Sequence, residues 1–230
     1  MISLRIGGVT PFTTVDYPGR LAAVVFCQGC GWRCGYCHNP HLLPRRGAVE
    51  VPWTDVERLL ERRRGLLDAV VFSGGEPTLQ RALPEAVQRA RSMGFRVGLH
   101  TAGPDPERLA RVLPWLDWVA LDVKAPFDDY ARITGVAGSG RRARESVSRV
   151  VRWGGDYECR TTVHARQWTE DALLGLAGEL AELGVARYAV QRFRAVGCAD
   201  DELRQAADEA FPGAGVRERI AGLFASFALR

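Results

Sequence analysis

Residues 21–40, LAAVVFCQGCGWRCGYCHNP, decide how this chain is read. Leu21 to Phe26 are an unbroken apolar run of strand length, and Cys27, Cys30, Cys34 and Cys37 follow in the loop directly after it. An apolar run without alternation is the mark of a strand covered on both faces, as in a parallel sheet packed between helices. The rest of the chain repeats that beginning. Further strands are expected over Ala69–Ser73, Arg96–His100, Trp118–Val123, Glu158–His164 and Arg187–Phe193, separated by longer amphipathic stretches. Between the first two strands a capping box of Thr54 and Glu57 is expected to open a helix with Val56, Leu59 and Leu60 on its apolar face. Pro84 and Gly94 bracket another, and Thr169 and Gly184 bound a third with Leu173, Leu176, Ala177 and Leu180 on one face. About six strand–helix units with right-handed crossovers give an α/β fold, doubly wound or curled into an incomplete barrel. In both, ligands sit in the loops after the strands, which puts the cysteine loop on the functional rim.

The chain has 230 residues, 47% of them hydrophobic, enough for one large α/β domain, and no repeat or linker divides it. The formal net charge is +4, almost all the positive charge being arginine, a balance too mild for a nucleic-acid binder. No apolar run approaches the ~18 residues of a membrane span, and the first residues carry no signal-peptide pattern, so a cytoplasmic protein is expected. Six cysteines in a chain of this length do not make a disulfide scaffold; metal ligation or redox chemistry is the reading to test.

Three constellations carry possible chemistry. Cys30, Cys34 and Cys37 form CxxxCxxC, and three thiolates so close in one loop suit a compact soft-metal centre with one position left open. The same thiols also pair as two CxxC units, Cys27 with Cys30 and Cys34 with Cys37, which a four-thiolate zinc site would use, although zinc pairs are usually more widely spaced. Cys27 ends the strand and is read as a buried small residue, and the isolated Cys159 and Cys198 as structural. Ser73–Pro77, SGGEP, follows the second strand; its two glycines open the backbone to a ligand or simply make a tight turn. In Leu121–Lys124, LDVK, alternation sends Asp122 and Lys124 to one side of a strand end, as a salt bridge or as a pair able to hold a zwitterion. There is no Walker loop, GxGxxG, GxSxG or HExxH, so the usual marks of phosphate, nicotinamide and hydrolytic chemistry are missing.

The cysteine loop with Tyr36 before its last cysteine, together with Gly74-Gly75-Glu76, resembles the radical S-adenosylmethionine enzymes. The flanks Asp16-Tyr17-Pro18-Gly19, Gln28-Gly29-Cys30 and Cys37-His38-Asn39-Pro40 resemble the glycyl-radical-enzyme activating proteins, and most of all the anaerobic ribonucleoside-triphosphate reductase activating protein. The resemblance implies a partial (β/α)6 TIM-like barrel with the radical SAM core. The expected layout is a single domain over 1–230, with an N-terminal extension over 1–20, the barrel over 21–193 and a C-terminal helical segment over 194–230. It implies a 4Fe-4S cluster on Cys30, Cys34 and Cys37, and contacts to S-adenosylmethionine from Tyr36, His38, Gly74, Gly75, Glu76, Thr101, Asp122 and Lys124. Cluster and cofactor would carry the reaction, so no acid–base catalytic side chain is expected. The implied partners are a glycyl radical enzyme, with anaerobic ribonucleotide reductase as the expectation, and flavodoxin or ferredoxin as electron donor; no nucleic acid and no membrane are expected. Arg62–Arg64 or Arg141, Arg142 and Arg144 are candidate docking runs for the donor, or solvated helix faces. His100 stands where some relatives carry an acidic residue that helps to bind a monovalent cation, which puts such a site in doubt, and Gln191 and Arg194 are given no role. The alternative is a radical enzyme acting on a small metabolite, such as a 7-carboxy-7-deazaguanine synthase.

Overall fold

Ala22, Ala23, Val24 and Val25 have no exposed surface, and neither have Ala69–Phe72 on the neighbouring strand, which is why both segments read as continuous apolar runs. The computed structural model of the chain describes residues 2–205 and 211–230. These fall into two compact units: the chain up to Gly31 with His41–Thr101 and Asp105–Ala120, and Trp32–Pro40 with Ala102–Pro104 and Leu121–Arg230. In each, strand order follows chain order.

The first unit holds β1 (Ile6–Thr13), β2 (Ala22–Cys27), β3 (Ala69–Gly74), β4 (Arg96–Thr101) and the start of β5 (Trp118–Asp122), with helices α1 (Trp53–Arg62), α2 (Leu83–Ser92) and α3 (Pro106–Val112). β2, β3 and β4 run parallel, in a register that sets Cys27 opposite Gly74, so the cysteine loop and the glycine turn leave the sheet side by side. One sheet face packs Ala22, Val24, Ala69, Val71 and Ala120 against Tyr17 and Trp118. On the other, Trp53 of α1 stacks on Phe72 with ring centroids 6.3 Å apart.

The second unit holds the end of β5, then β6 (Asp156–Val163), β7 (Arg187–Arg192) and β8 (Ser226–Leu229), with β6–β7 and β7–β8 parallel. Its helices are α4 (Tyr130–Thr134), α5 (Ser139–Trp153), α6 (Glu170–Glu182), α7 (Asp201–Gln205) and α8 (Ala214–Ala221). The Thr169 hydroxyl accepts from Ala172 N–H at 3.1 Å, capping α6 as its sequence implied.

All six expected strands form, with ends moved by one or two residues. One local expectation is corrected, and two segments each carry a strand that was not expected. The capping box does not form: α1 starts at Trp53 with Pro52 as N-cap and no side-chain cap, leaving Thr54 inside the first turn, and Glu57 accepts instead from Arg89 Nε at 2.6 Å. The N-terminal extension contains β1, antiparallel to β2; Gly7, Gly8 and Pro11 break its pattern, as they do in edge strands. The C-terminal segment is helical in α7 and α8 but ends in β8, fixed by two 2.8 Å bonds from the Arg230 guanidinium to the Glu158 carboxylate; residues 206–210 lie outside the described residues. Among the described residues no helix is long and apolar enough to cross a membrane.

Candidate functional site

The glycine turn is built from backbone. Gly74 ends β3 with φ at +112°, and a Cβ there would lie 2.5 Å from Cys27 N and 2.6 Å from Cys27 O. At Gly75 a Cβ would lie 2.6 Å from Gly29 O and 2.8 Å from Leu42 O. Neither position has room for a side chain, because the cysteine loop lies directly against the turn. The contact is hydrogen-bonded: Gly75 N–H donates to Cys27 O and Glu76 N–H to Gly29 O, both at 2.9 Å. Gly29 N–H donates to Leu42 O at 2.7 Å and Cys30 N–H to Leu43 O at 3.1 Å, which fixes the start of the cysteine loop from its other side. The buried amides of Gln28 and Gln80 complete this frame: Gln28 donates to His41 O and Pro44 O, and Gln80 to Arg5 O and Gln28 O.

Glu76 is 1% exposed, and its Oε1 accepts from Thr78 N–H at 3.0 Å, Thr78 Oγ1 at 2.6 Å and Thr101 Oγ1 at 2.6 Å. A buried carboxylate needs such donors. Thr101, expected at the cofactor, thus directs its hydroxyl at Glu76, and Thr78, which carried no signal in the sequence, shares that task. His100 at the end of β4 meets Asp16 O through Nε2 at 2.8 Å and sits edge-on to Trp118, whose ring also packs on Tyr17 at 5.3 Å. The Asp16–Gly19 stretch is therefore held against the strand ends by His100 and Trp118. Cys27 is fully buried, and burial, reinforced by the charge of Glu76, pushes its thiol far up, so it stays protonated.

The second unit carries the remainder of the cysteine loop, Trp32–Pro40. Cys37 N–H donates to Cys34 O at 3.1 Å, closing a turn around Gly35 and Tyr36, and Arg33 N–H donates to Thr134 O at 2.9 Å. His38 meets Arg194 O through Nε2 at 2.9 Å and stacks on Phe193 at 5.4 Å; burial lowers its basicity. Arg194, given no role from sequence, thus fixes His38 through its backbone. Cys198 reaches Gly35 O at 3.6 Å.

At the end of β5, Lys124 Nζ lies 3.4 Å from Asp122 Oδ2 and 5.6 Å from the Tyr36 ring centroid. Burial alone would discharge this ammonium, but Tyr36, Asp122 and Cys34 around it outweigh burial and hold its pKa well above the usual lysine value. The salt bridge read from alternation is present, with Asp122 still 41% exposed at its side chain. Tyr130 holds the strand end: its hydroxyl accepts from Lys124 N–H at 3.0 Å and donates to Asp122 O at 3.4 Å. The Tyr36 hydroxyl is buried with no hydrogen-bond partner among the described residues. Burial pushes the Cys34 thiol up, with Lys124 pulling the other way, so a soft metal, which takes the thiolate, is the partner that would hold it ionised.

None of the six cysteines is in a disulfide, and Cys30, Cys34 and Cys37 are the three that are half-buried, while Cys27, Cys159 and Cys198 are buried. Among the described residues no three His, Cys, Asp or Glu side chains are gathered around the position of a single metal ion. A cluster with a separate iron for each thiolate makes no such demand. Three accessible thiols in one loop, a glycine turn that a Cβ would block and an orphaned buried hydroxyl on Tyr36 all fit a 4Fe-4S cluster with a ligand that has a polar end.

Comparison with known proteins bears on this donor set. A Methanocaldococcus jannaschii protein described as a putative glycyl-radical enzyme activating enzyme is 31% identical over 210 residues, 87% of this chain and 84% of that protein. The pyruvate formate-lyase-activating enzyme of Clostridium pasteurianum is 36% identical over 157 residues, but the match spans only 64% of its length. A 7-carboxy-7-deazaguanine synthase of Methanopyrus kandleri is 36% identical over 130 residues, 48% of this chain and 52% of that protein. Among solved structures, QueE from Escherichia coli superposes with a TM-score of 0.58 at 16% identity over 99% of this chain and 93% of that one, a likeness of fold. The model of the radical SAM superfamily matches residues 24–187. On that match the chain belongs to the radical SAM superfamily, whose α/β core it has and whose cofactors are a 4Fe-4S cluster and S-adenosylmethionine.

Proposed function

We propose that the protein is a glycyl-radical-enzyme activating enzyme, with Cys30, Cys34 and Cys37 holding the cluster and a glycyl radical enzyme as its protein substrate. The observation that carries the reading is the pairing of a cysteine loop with a side-chain-free glycine turn at adjacent strand ends, in a chain 31% identical over most of both lengths to a protein described as a putative activating enzyme. When bound, cluster and S-adenosylmethionine together supply a carbon-centred radical that removes a hydrogen atom from carbon. The chain's own residues bind and orient. Carbonyl groups at Gly74, Gly75 and Glu76 receive the amino group of the cofactor, with Glu76 held in place by Thr78 and Thr101. Asp122 and Lys124 offer opposite charges to a zwitterion, and Tyr36 and His38 border the nucleoside. A glycine is the natural target, since its Cα carries two hydrogens and no side chain to hinder approach. The flanks Asp16–Gly19 and Cys37–Pro40 support anaerobic ribonucleoside-triphosphate reductase as the partner.

Anaerobic reconstitution with iron and sulfide, then electron paramagnetic resonance with S-adenosylmethionine and candidate partners, tests this. A cluster signal perturbed by the cofactor and a glycyl radical on the reductase are expected; a cluster indifferent to the cofactor refutes the reading. The half-chain likeness to a 7-carboxy-7-deazaguanine synthase supports a second reading, a metabolite enzyme, which a perturbed cluster without a radical on any partner would favour.

A further inference from the structure

Tyr130 opens the short helix α4 and has no exposed surface. Its side chain meets two separate segments of the second unit. The ring stands edge-on to Trp32 with centroids 5.5 Å apart, while the hydroxyl bonds the backbone of Lys124 and Asp122. Phe127 stacks on the same ring at 6.1 Å. A phenol carries its oxygen on the ring axis, so packing that fixes the ring also fixes the oxygen. The other end of α4 reaches the same loop: Arg33 N–H donates to Thr134 O at 2.9 Å, and Thr134 Oγ1 donates back to Tyr130 O at 3.1 Å. Trp32 and Arg33 directly precede Cys34, so α4 is anchored on the approach to a proposed cluster ligand.

The hydroxyl supplies what the sheet does not. β5 ends at Asp122, and Val123 N–H still donates to Arg160 O of β6 at 2.7 Å. Successive N–H groups of an extended chain point to opposite sides, so Lys124 N–H turns away from β6. A buried amide needs an acceptor, and the Tyr130 oxygen provides it at 3.0 Å. The same oxygen donates to Asp122 O at 3.4 Å, which places it against the residues on both sides of Val123. Those are the residues whose side chains form the 3.4 Å carboxylate–ammonium pair. Burial keeps the phenol protonated, so it retains the donor as well as the acceptor.

We infer that Tyr130 is a positioning residue of the reaction: its ring takes its place from the cysteine loop, and its hydroxyl sets Asp122 and Lys124 relative to that loop before S-adenosylmethionine binds. This rests on the reading of Asp122 and Lys124 as cofactor contacts. Tyr130 touches no reacting atom and acts through the two backbone groups alone. A hydroxyl needed only by the fold would behave like that of Tyr157, at the start of β6, which accepts from Ala186 N–H at 3.0 Å.

Tyr130→Phe keeps the ring and removes the oxygen, and Tyr157→Phe removes one comparable bond elsewhere in the unit. In the metal-free proteins, hydrogen exchange at the Lys124 amide, followed by NMR, is expected to quicken at least about tenfold in Tyr130→Phe and not in Tyr157→Phe, with similar falls in Tm. After anaerobic reconstitution Tyr130→Phe should hold the parent's iron per chain, because the ring remains against Trp32. It should bind S-adenosylmethionine about fivefold more weakly by calorimetry, whereas Tyr157→Phe should bind it as the parent does. In cofactor cleavage the loss is expected in KM rather than in kcat. Unchanged affinity in Tyr130→Phe overturns the inference, and so does an equal loss in Tyr157→Phe, which would make affinity a consequence of stability alone. A reconstituted parent protein that binds no S-adenosylmethionine would instead remove the cofactor reading, and this inference with it.

Discussion

Two groups of candidate residues, one in each unit, are built by opposite means. In the first unit, Gly74–Glu76 and the start of the cysteine loop form a frame of backbone bonds and buried side chains that satisfy one another: Glu76 accepts three donors on one oxygen, and Gln28 and Gln80 spend their amides on carbonyls. In the second, the groups are side chains with capacity in hand: half-buried Cys34 and Cys37, the Tyr36 hydroxyl without a partner among the described residues, and a Lys124–Asp122 pair stretched to 3.4 Å. The first is satisfied by its own bonds, while the second keeps capacity for the ligand proposed above. Substitutions should therefore cost stability in the first and ligand binding in the second.

The largest effect expected is on the ligand side. Cys34→Ala should abolish cluster assembly, read as iron per chain after anaerobic reconstitution, and lower cofactor cleavage at least about a hundredfold, because a lost thiolate is not replaced by any neighbouring donor. The metal-free protein should melt within about 0.5 kcal/mol of the parent, since the residue is only half-buried. Cys27→Ala is its mirror: iron content should persist while stability falls, the residue being wholly buried. Iron retained by Cys34→Ala, or lost by Cys27→Ala, would exchange the roles of the two thiols.

Gly75→Ala comes next and acts on the frame. Its Cβ would be driven into two carbonyl oxygens, Gly29 O and Leu42 O, neither of which can move without breaking the loop bonds. A cost of about 3 kcal/mol is expected, a fall in Tm of roughly 6–12 °C for a chain of this length. Gly178→Ala, with open space around it in α6, is the control and should be neutral or slightly stabilising. Equal melting of the two variants would mean that the glycine turn is not held by the cysteine loop.

What could be read without a structure follows the same division. Strands β2, β3 and β5 were legible because burial on both faces leaves apolar residues in a row, and Thr169 announces α6 because a cap is a local matter. Thr54 and Glu57 misled for a related reason: the spacing was right, but Pro52 already ends the extended segment and starts the helix two residues early. The motif residues themselves were legible as a set of residue types. Their supports were not, because Thr78 and Thr101 meet at Glu76, His100 meets Asp16 across 84 positions, and Tyr130 reaches Lys124 only because the chain turns back at α4. No periodicity records such meetings.

Glu76→Gln probes how far the frame depends on charge. Three donors converge on one carboxylate oxygen, and charge-assisted bonds of this kind contribute about 1.5–3 kcal/mol. The amide keeps an acceptor oxygen but not the charge, so a loss of about 2 kcal/mol is expected by urea denaturation, with Thr101→Val losing somewhat less. If Glu76→Gln matches the parent in urea, the carboxylate is kept for the ligand and belongs with the second group.

The smallest and most discriminating change is Tyr36→Phe. The hydroxyl it removes is buried and unbonded among the described residues, a state that costs a fold rather than supporting it. Without ligand the variant should therefore be as stable as the parent or more so, by up to about 1 kcal/mol, the ring remaining beneath Lys124. Its affinity for S-adenosylmethionine, measured by calorimetry on the reconstituted protein, should fall about fivefold, the worth of one neutral hydrogen bond. A variant that gains stability and keeps full affinity would show that the hydroxyl points at no ligand, and the contrast between a completed frame and a group with capacity in hand would then rest on Cys34, Cys37, Asp122 and Lys124.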